Sequence, residues 1–267
     1  MSAASRVRWT RCRRTVQLAV ALFFLVLPFA NAAGFNAISG TLVALKIGPV
    51  DLMEPAATIS AALAGRQFTR ALLLGIAPLA LLAVVLGPVF CSWICPWGLA
   101  SEALDHLLRR AHAWNGNAWI AVRRLRIISL VAFLLLAILF ATPLVAFLSA
   151  PRLATTLPLE LVYLRTVSAV TGTLLLALLL LECLGRRRVW CRGLCPVGGL
   201  ATFLGFKRRL RLGFAAQNCS CPLTAECLLH CPWGIDPRRM RLTDGCTNCL
   251  TCVDACPSQV LSPKFQH

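Results

Sequence analysis

The stretch Cys246-Thr-Asn-Cys249-Leu-Thr-Cys252-Val-Asp-Ala-Cys256-Pro257 carries four cysteines in the spacing C-x2-C-x2-C-x3-C, closed by proline. This spacing is typical of a [4Fe–4S] cluster, in which three thiolates turn toward one cube and the fourth ligates a second cube. Zinc is the alternative, but zinc sites usually pair C-x2-C segments across a longer gap and do not need Cys-Pro. The stretch therefore predicts an iron–sulfur domain, and it requires a partner run.

A second cysteine run lies just upstream, between Cys219 and Pro232, and it ends in the same C-x3-C-P. Its front half is irregular and reads C-x-C-x5-C. Crossed ligation, in which each run lends its last cysteine to the other cluster, divides the eight cysteines into two sets. One set is Cys231, Cys246, Cys249 and Cys252, and the other is Cys219, Cys221, Cys227 and Cys256. The irregular spacing leaves open whether one of the first two cysteines is spare and His230 replaces it, although such a histidine is more often a supporting or surface group.

The composition indicates an integral membrane protein. Hydrophobic residues make up 58% of the 267 positions, against about 45–50% in soluble domains, and the mean hydropathy is +0.74. The net charge of +17 fits basic residues that flank spans and face anionic lipid, and no nucleic-acid-binding motif accompanies it. Twelve of the fourteen cysteines stand in metal-ligand spacings, and free thiolates indicate a reducing compartment, the cytosol.

The hydropathy pattern predicts four spans, at about 16–33, 71–90, 127–149 and 166–182. An uncleaved first span is favoured over a signal peptide, although Ala30-Asn31-Ala32 resembles a cleavage site. Residues 34–69 are predicted as an outer loop with a short interfacial or re-entrant helix near 56–63, and residues 151–165 as an outer turn.

Positive charge sets the predicted orientation. Lys and Arg number 5 in residues 1–14, 5 in 91–126 and 12 in 183–267, which gives 22, whereas the two opposite loops hold 5. The positive-inside rule then places both termini and the 91–126 loop in the cytosol. The cysteine runs would lie there too, in agreement with the redox argument.

The second and fourth spans end in the same motif. Phe-Cys-Ser-Trp-Ile-Cys-Pro-Trp-Gly at 90–98 matches Trp-Cys-Arg-Gly-Leu-Cys-Pro-Val-Gly at 190–198, one hundred residues later. The repeat predicts a duplicated two-span unit that delivers four cysteines to the inner face. Those cysteines would form a third metal site or a dithiol–disulfide pair, or they are structural thiols at tight Cys-Pro turns. They are Cys91, Cys95, Cys191 and Cys195.

The sequence also contains candidates for a site that binds a quinol. Trp93 and Trp97 would flank a quinol ring, although tryptophans at a membrane edge ordinarily anchor the protein at the interface. Asp51 and Glu54 are acids in the apolar outer loop and would accept quinol protons. The favoured interpretation of both acids is that they are solvated loop charges, since acids are mostly exposed.

Taken together, the spans, the two C-x3-C-P turns and the C-terminal cysteine runs resemble the NapH/MauN family of ferredoxin-type membrane proteins, to which NosR and CcoG are related. The resemblance covers about residues 13–261. It implies a membrane all-α fold with four transmembrane helices at 15–205, after a basic N-terminus at 1–14 and before a small cytoplasmic 2[4Fe–4S] ferredoxin-like domain at 206–267. The irregular run from Cys219 to Cys231 departs from the family pattern.

The same resemblance implies a function in the bacterial inner membrane. The expected protein is a quinol dehydrogenase subunit that draws on the quinone pool. Its expected partners are a ferredoxin-like protein of the NapG/MauM type and a terminal oxidoreductase, such as nitrate reductase or an enzyme of methylamine utilisation. Two other classes stay open: a maturation factor for a metalloenzyme, and a membrane metal-ion (copper) reductase in the manner of CcoG.

Overall fold

The computed structural model describes residues 8–108, 118–184, 188–219, 221, 226–238 and 245–265. Parts of the predicted basic segments, at 1–7, 109–117 and 185–187, lie outside these ranges. The chain is arranged as two similar halves followed by a cysteine-rich segment, residues 210–265.

The first half combines helices with a small sheet. Its elements are α1 (Trp9–Ala32), β1 (Ile38–Gly40), β2 (Ala44–Ile47), β3 (Val50–Met53), α2 (Pro55–Gly65), α3 (Arg70–Leu86), a first π-turn (Phe90–Ile94) and α4 (Pro96–Leu107). The second half has the same order of elements, with the short helix α6 in the place of the sheet. Its elements are α5 (Ala118–Leu139), α6 (Leu144–Leu148), α7 (Ala150–Tyr163), α8 (Ala169–Leu184), a second π-turn (Trp190–Leu194) and α9 (Pro196–Leu204).

The two halves pack on each other reciprocally. Helix α1 lies against α7 and α4, as α5 lies against α2 and α9. Each π-turn contacts the first helix of its own half, and α3 meets α9 as α8 meets α4. The equivalence therefore extends beyond the predicted two-helix unit, because each half also contains a short buried helix, α2 or α7.

Residues 34–53 differ from the predicted loop. Strands β1, β2 and β3 form an antiparallel sheet in which Ser39 pairs with Lys46 and Lys46 with Asp51. Strands of three or four residues are too short to give a clear alternation in the sequence. The expectation of an all-α fold is wrong to this extent, whereas the short helix predicted near 56–63 is present as α2.

The predicted third span is wrong in its second half, because α5 ends at Leu139. Ala141 adopts a left-handed φ of 49° and Pro143 follows it. Proline lacks the N–H that would continue a helix and restricts the residue before it. The turn predicted at 151–165 is also wrong, since α7 (Ala150–Tyr163) occupies most of this stretch and has Pro151 in its first turn.

The second predicted span is shorter than expected, since α3 ends before Gly87, which has a φ of 81° and precedes Pro88. Of the described helices, α1 is long and apolar enough to cross a membrane by length and composition. Shorter apolar helices are α2, α3, the stretch Leu125–Phe140 and α8.

The cysteine-rich segment is closed by a two-stranded antiparallel sheet of β4 (Leu210–Phe214) and β5 (Leu261–Phe265). Between the strands lie two short helices, α10 (Glu226–Leu229) and α11 (Thr251–Asp254). The segment also contacts the start of the chain: both carboxylate oxygens of Asp254 accept hydrogen bonds, from the backbone N–H groups of Trp9 (3.1 Å) and Thr10 (2.7 Å). Asp254 thus caps the first turn of α1, where a negative charge is favourable.

Candidate metal centres

The four cysteines of the two C-x3-C-P motifs meet at the centre of the paired halves. In each motif the backbone turns through a π-turn, closed by Cys95 N–H to the Phe90 carbonyl (2.9 Å) and by Cys195 N–H to the Trp190 carbonyl (2.8 Å). The four cysteines line one cavity, and two of them, Cys95 and Cys195, are each only 8% exposed. We call this group the four-cysteine centre.

Helix N-termini surround the four-cysteine centre. Backbone N–H groups of Trp97 and Gly98, in the first turn of α4, point at Cys95, and those of Val197 and Gly198 in α9 point at Cys195. The first residues of α7 line the same cavity. Because helix N-termini carry partial positive charge, this arrangement favours negative charge on the sulfur atoms.

Without a metal these thiols are poor acids. Burial raises the pKa of Cys95 to about 12 and that of Cys195 to about 11. Burial also raises the pKa values of Cys91 and Cys191, and neighbouring cysteines of the centre raise them further. Binding a metal as thiolates would release these protons. The helix N-termini would then stabilise the negative charge on the ligated sulfur atoms, whereas the unbound thiols stay protonated.

The residues present fit a bound group at this centre. Gln17 of α1 lines the cavity and is fully buried, and within the described part of the chain its side-chain amide nitrogen and oxygen have no hydrogen-bond partner. A buried amide without partners is unfavourable, and a bound water, ion or other group in the cavity would satisfy it. Sequence reasoning missed Gln17, because a single glutamine in an apolar helix belongs to no recognisable pattern.

Two buried acids flank the four-cysteine centre. Glu54 is 3% exposed and caps α2, with one carboxylate oxygen accepting from Ala56 N–H (3.0 Å) and the other from Ala57 N–H (2.7 Å). Burial raises its pKa to about 7, and the carboxylate is close enough to raise the pKa values of Cys91 and Cys195. The expectation that Glu54 is a solvated loop charge is wrong, whereas Asp51 is exposed. The carboxylate of Glu182 of α8 faces the Cys191 N–H and the Trp97 indole.

The C-terminal cysteines form two neighbouring groups. One cavity is lined by four of them together with Trp233 and Ile235. These four are Cys231, Cys246, Cys249 and Cys252. Ile235 N–H donates to the Cys231 sulfur at 3.4 Å. Positive φ values at Gly245, Asn248 and Leu250 curl the chain around this cavity. Four sulfur donors around one space suit a [4Fe–4S] cube.

The second group surrounds the other side of α11. Cys227, Cys252 and Cys256 are buried in one apolar cluster, and Cys219 and Cys221 pack against it. His230 is exposed, and one nitrogen of its ring bonds the Glu226 carbonyl at 2.9 Å. Cys252 belongs to both groups, which are therefore contiguous, and His230 lies outside them. Among the described residues, no three His, Cys, Asp or Glu side chains lie close enough to hold a single metal ion.

The loop of residues 245–250, which we call the cluster loop, is seated on the first π-turn. The Ser92 hydroxyl donates to the Thr247 carbonyl at 2.7 Å, and the Trp93 indole donates to the Asn248 carbonyl at 3.0 Å. The Asn248 side chain in turn donates to the Leu86 carbonyl at the end of α3 (2.9 Å). Trp93 therefore anchors the cysteine-rich segment, a role that the sequence did not indicate.

Arg126 joins the cluster loop to the second π-turn. This buried side chain of α5 donates to the carbonyls of Arg192 (2.6 Å) and Cys191 (3.1 Å), and its guanidinium lies 4.8 Å from the Trp233 ring centre. It also reaches the Gly245 carbonyl at 3.5 Å. Trp233 lines both the four-cysteine cavity and the neighbouring C-terminal cavity. The two sulfur-lined sites are therefore adjacent.

Comparison with known proteins adds a family to this geometry. The family model described as "4Fe-4S binding domain" matches residues 68–112 and 167–214, the two segments that contain the C-x3-C-P motifs. The methylamine utilization ferredoxin-type protein MauN of Methylobacillus flagellatus is 31% identical over 234 residues, which cover 86% of this chain and 78% of MauN.

The ferredoxin-type protein NapH of Haemophilus influenzae is 27% identical over 272 residues (96% of this chain, 90% of NapH). The Escherichia coli NapH is 28% identical over 271 residues (96% and 88%). No solved structure matches the chain significantly. The identity to MauN and its coverage, with the 4Fe–4S match on both halves, show that the chain belongs to the NapH/MauN family of ferredoxin-type electron transport proteins.

Proposed function

We propose that this protein is a membrane-bound quinol dehydrogenase subunit that passes electrons from quinol toward an oxidoreductase. The observation that carries the proposal is the seating of the cluster loop on the C-x3-C-P turns through Ser92, Trp93 and Arg126. A fixed contact between sulfur-lined sites is what electron transfer requires, because its rate depends on a short and constant separation.

The two C-terminal cysteine sets are proposed to hold two [4Fe–4S] clusters. Cys231, Cys246, Cys249 and Cys252 would ligate the cluster nearer the π-turns, and Cys219, Cys221, Cys227 and Cys256 would ligate the other. When bound, such clusters take up and release single electrons. The chain itself supplies burial, the Ile235 N–H bond to sulfur and the hydrogen bonds that fix the cluster loop.

The four-cysteine centre is proposed to hold a third iron–sulfur cluster. Support comes from the convergent N-termini of α4 and α9, the unpartnered Gln17 amide and the 4Fe–4S family match over both motifs. A disulfide pair is the competing arrangement at the same residues, and iron content distinguishes the two.

We further propose that α3, α5 and α8 span the membrane together with α1. Leu74 of α3 is 75% exposed, Leu139 of α5 is 75% exposed and Leu184 of α8 is 84% exposed. Large leucines left outside a packed bundle suit lipid better than water. Charge asymmetry then favours the orientation with both termini and the cysteine-rich segment in the cytosol of a bacterial inner membrane.

The expected partners are a ferredoxin-like protein of the NapG/MauM type and a terminal oxidoreductase. Val43, from the segment around the first sheet, shares an apolar core with Cys95 and Cys195, and Glu54 lies within electrostatic range of Cys91. If the sheet faces the periplasm, the centre would connect the cytosolic cysteine-rich segment with the opposite face. This would give a periplasmic acceptor a route for electrons.

The test is anaerobic purification in detergent, quantification of iron and sulfide, and EPR spectroscopy after addition of a reduced quinol analogue. About twelve irons with quinol-dependent signals would support the whole proposal, and about eight would remove the third cluster. Clusters that dithionite reduces but quinol does not would contradict the quinol dehydrogenase function. That outcome would favour a maturation factor or a copper reductase.

A further inference from the structure

Glu54 lines a mostly apolar cleft between α3 and α9. Its walls are Leu79 and Ala83 of α3 and Leu200 and Leu204 of α9, and Phe90 and Val197 lie beside it. Glu54 is the one charged side chain among the residues that line this cleft. An apolar cleft with very few polar groups in its lining is the usual form of a site for a small, mostly apolar ligand.

The surroundings of the cleft are apolar as well. Leu81 of α3 is 64% exposed, and Phe203 of α9, next to Leu204, is 63% exposed. A ligand that approaches between these helices would come from a hydrocarbon phase. Such a ligand must dissolve in lipid and still offer a hydrogen-bond donor to a carboxylate.

The two halves of the molecule differ at this position. Helix α2 begins after Glu54, whereas the equivalent helix α7 begins after Ser149, which is fully buried. Serine can bond to a neighbour but cannot hold a proton at neutral pH. The pseudo-symmetry therefore breaks at one acid, and only the Glu54 side combines a cleft with a proton acceptor among the described residues.

Glu54 has hydrogen-bonding capacity beyond its role as a helix cap. Each of its oxygens accepts one backbone N–H, from Ala56 or Ala57. A carboxylate has about four lone-pair sites, so each oxygen can accept a further hydrogen bond. Glu54 is part of the lining of the cleft, and the four-cysteine centre lies within electrostatic range of its carboxylate.

We propose that the cleft between α3 and α9 binds the quinol headgroup and that the Glu54 carboxylate accepts its hydroxyl protons. This inference rests on the proposed quinol dehydrogenase function and names its substrate site. In the overall step both O–H bonds of the quinol break and both C–O bonds become carbonyls. The iron–sulfur clusters would supply the oxidant by taking up the two electrons singly, and Glu54 would accept the two protons in turn and release each to water before the next arrives.

The test uses the full-length holoprotein in detergent and three variants. Glu54→Gln removes the proton acceptor, and Leu204→Trp fills the cleft without changing Glu54. Phe203→Trp, one residue away on an exposed face, is the matched control. Cluster reduction is followed by EPR with a reduced short-chain benzoquinol and, separately, with dithionite.

We expect Glu54→Gln to slow quinol-driven reduction about 100-fold, the usual size of a lost general base. Leu204→Trp should slow it at least about tenfold, and Phe203→Trp should change it less than about twofold. Dithionite reduction and iron content should stay the same in all three. An azido-benzoquinone photolabel should mark peptides of α3 or α9 in the wild type and lose this labelling in Leu204→Trp.

The outcomes separate the site from the function. If quinol reduces the wild type but Leu204→Trp neither slows reduction nor loses the photolabel, the cleft is not the site, and the quinol dehydrogenase function stands. If quinol fails to reduce the wild type while dithionite succeeds, the function itself fails. If Leu204→Trp is impaired and Glu54→Gln is not, the cleft binds quinol but Glu54 only caps α2, and the proton-acceptor role is overturned.

Discussion

At the scale of single residues, Arg126 ties α5 both to the second π-turn and to the cysteine-rich segment. Its guanidinium donates to two carbonyls in the second π-turn and to one in the cluster loop.

Arg126→Met would leave these buried carbonyls without donors. We expect a loss of about 3 kcal/mol in unfolding free energy, because hydrogen bonds to charged groups contribute about 1.5–3 kcal/mol each. Arg209→Met, at an exposed arginine, is the control, and thermal unfolding in detergent is the measurement. Equal melting temperatures of the two variants would show that the contacts of Arg126 contribute little.

A second prediction at this scale concerns pH. Burial opposes ionisation of Glu102, but Arg13 and Arg14 outweigh it and hold its pKa below the usual 4.5. A carboxyl group whose folded pKa is lowered stabilises the fold above its unfolded pKa, and this stabilisation is lost as the pH falls through the folded value. Glu102→Gln should therefore lower the melting temperature at pH 7, and the gap to wild type should close below about pH 4.5. Asp51→Asn, at an exposed acid, should show no comparable gap. A gap that does not shrink as the pH is lowered from 4.5 would contradict the ion-pair explanation.

Spacing alone identified twelve cysteines as candidate ligands, because ligation imposes short and regular intervals on the chain. The residues that position them were not predictable in the same way. Ser92 bonds a carbonyl 155 residues away and Arg126 bonds one 119 residues away, so neither belongs to a local pattern. Glu54 was visible as an acid in an apolar stretch, but its burial depends on α2 folding back into the bundle.

At the scale of elements, the two C-x3-C-P turns provide a matched pair of glycines. A Cβ at Gly98 would lie 2.9 Å from the Cys91 carbonyl and 3.3 Å from the Gln17 amide, whereas a Cβ at Gly198 would lie 3.8 Å from its nearest neighbour, the Cys91 sulfur. We expect Gly98→Ala to destabilise the protein by about 1–3 kcal/mol through overpacking. Gly198→Ala should be neutral or slightly stabilising, because alanine favours the helix. Melting temperatures of both variants check this, and equal losses would contradict the asymmetry between the halves.

Hydropathy was informative about where the apolar helices lie and misleading about their ends. A window average does not register Pro143, so it merged α5 and α6 into one span of 23 residues, whereas α5 ends at Leu139. It likewise placed α7 in a turn, because the charged residues Arg152 and Glu160 lower the mean hydropathy of this helix. The repeat at 90–98 and 190–198 was a better guide, since it correctly indicated the structural equivalence of the two halves.

At the scale of the whole molecule, the cysteine-rich segment is held on the helices by a few identifiable hydrogen bonds. Ser92 and Trp93 each contribute one bond from the first π-turn to the cluster loop. The double variant Ser92→Ala, Trp93→Phe removes both donors but leaves every cysteine in place. We expect iron content to stay at the wild-type level, because cluster ligation does not involve these side chains. Hydrogen exchange in residues 245–250 should become faster, since the loop would open more often.

The same variant tests whether this contact matters for electron flow. Loosening the loop should slow quinol-driven cluster reduction several-fold, while dithionite, which reaches the clusters from solution, should reduce them as fast as in wild type. Thr173→Ala, which removes an exposed hydroxyl on α8, controls for the loss of a hydroxyl group. If hydrogen exchange rises but quinol-driven reduction keeps its rate, electrons do not cross at this contact. The cysteine-rich segment would then exchange electrons through another surface, and the adjacency of the sulfur-lined sites would serve the assembly of the fold rather than transfer between its two parts.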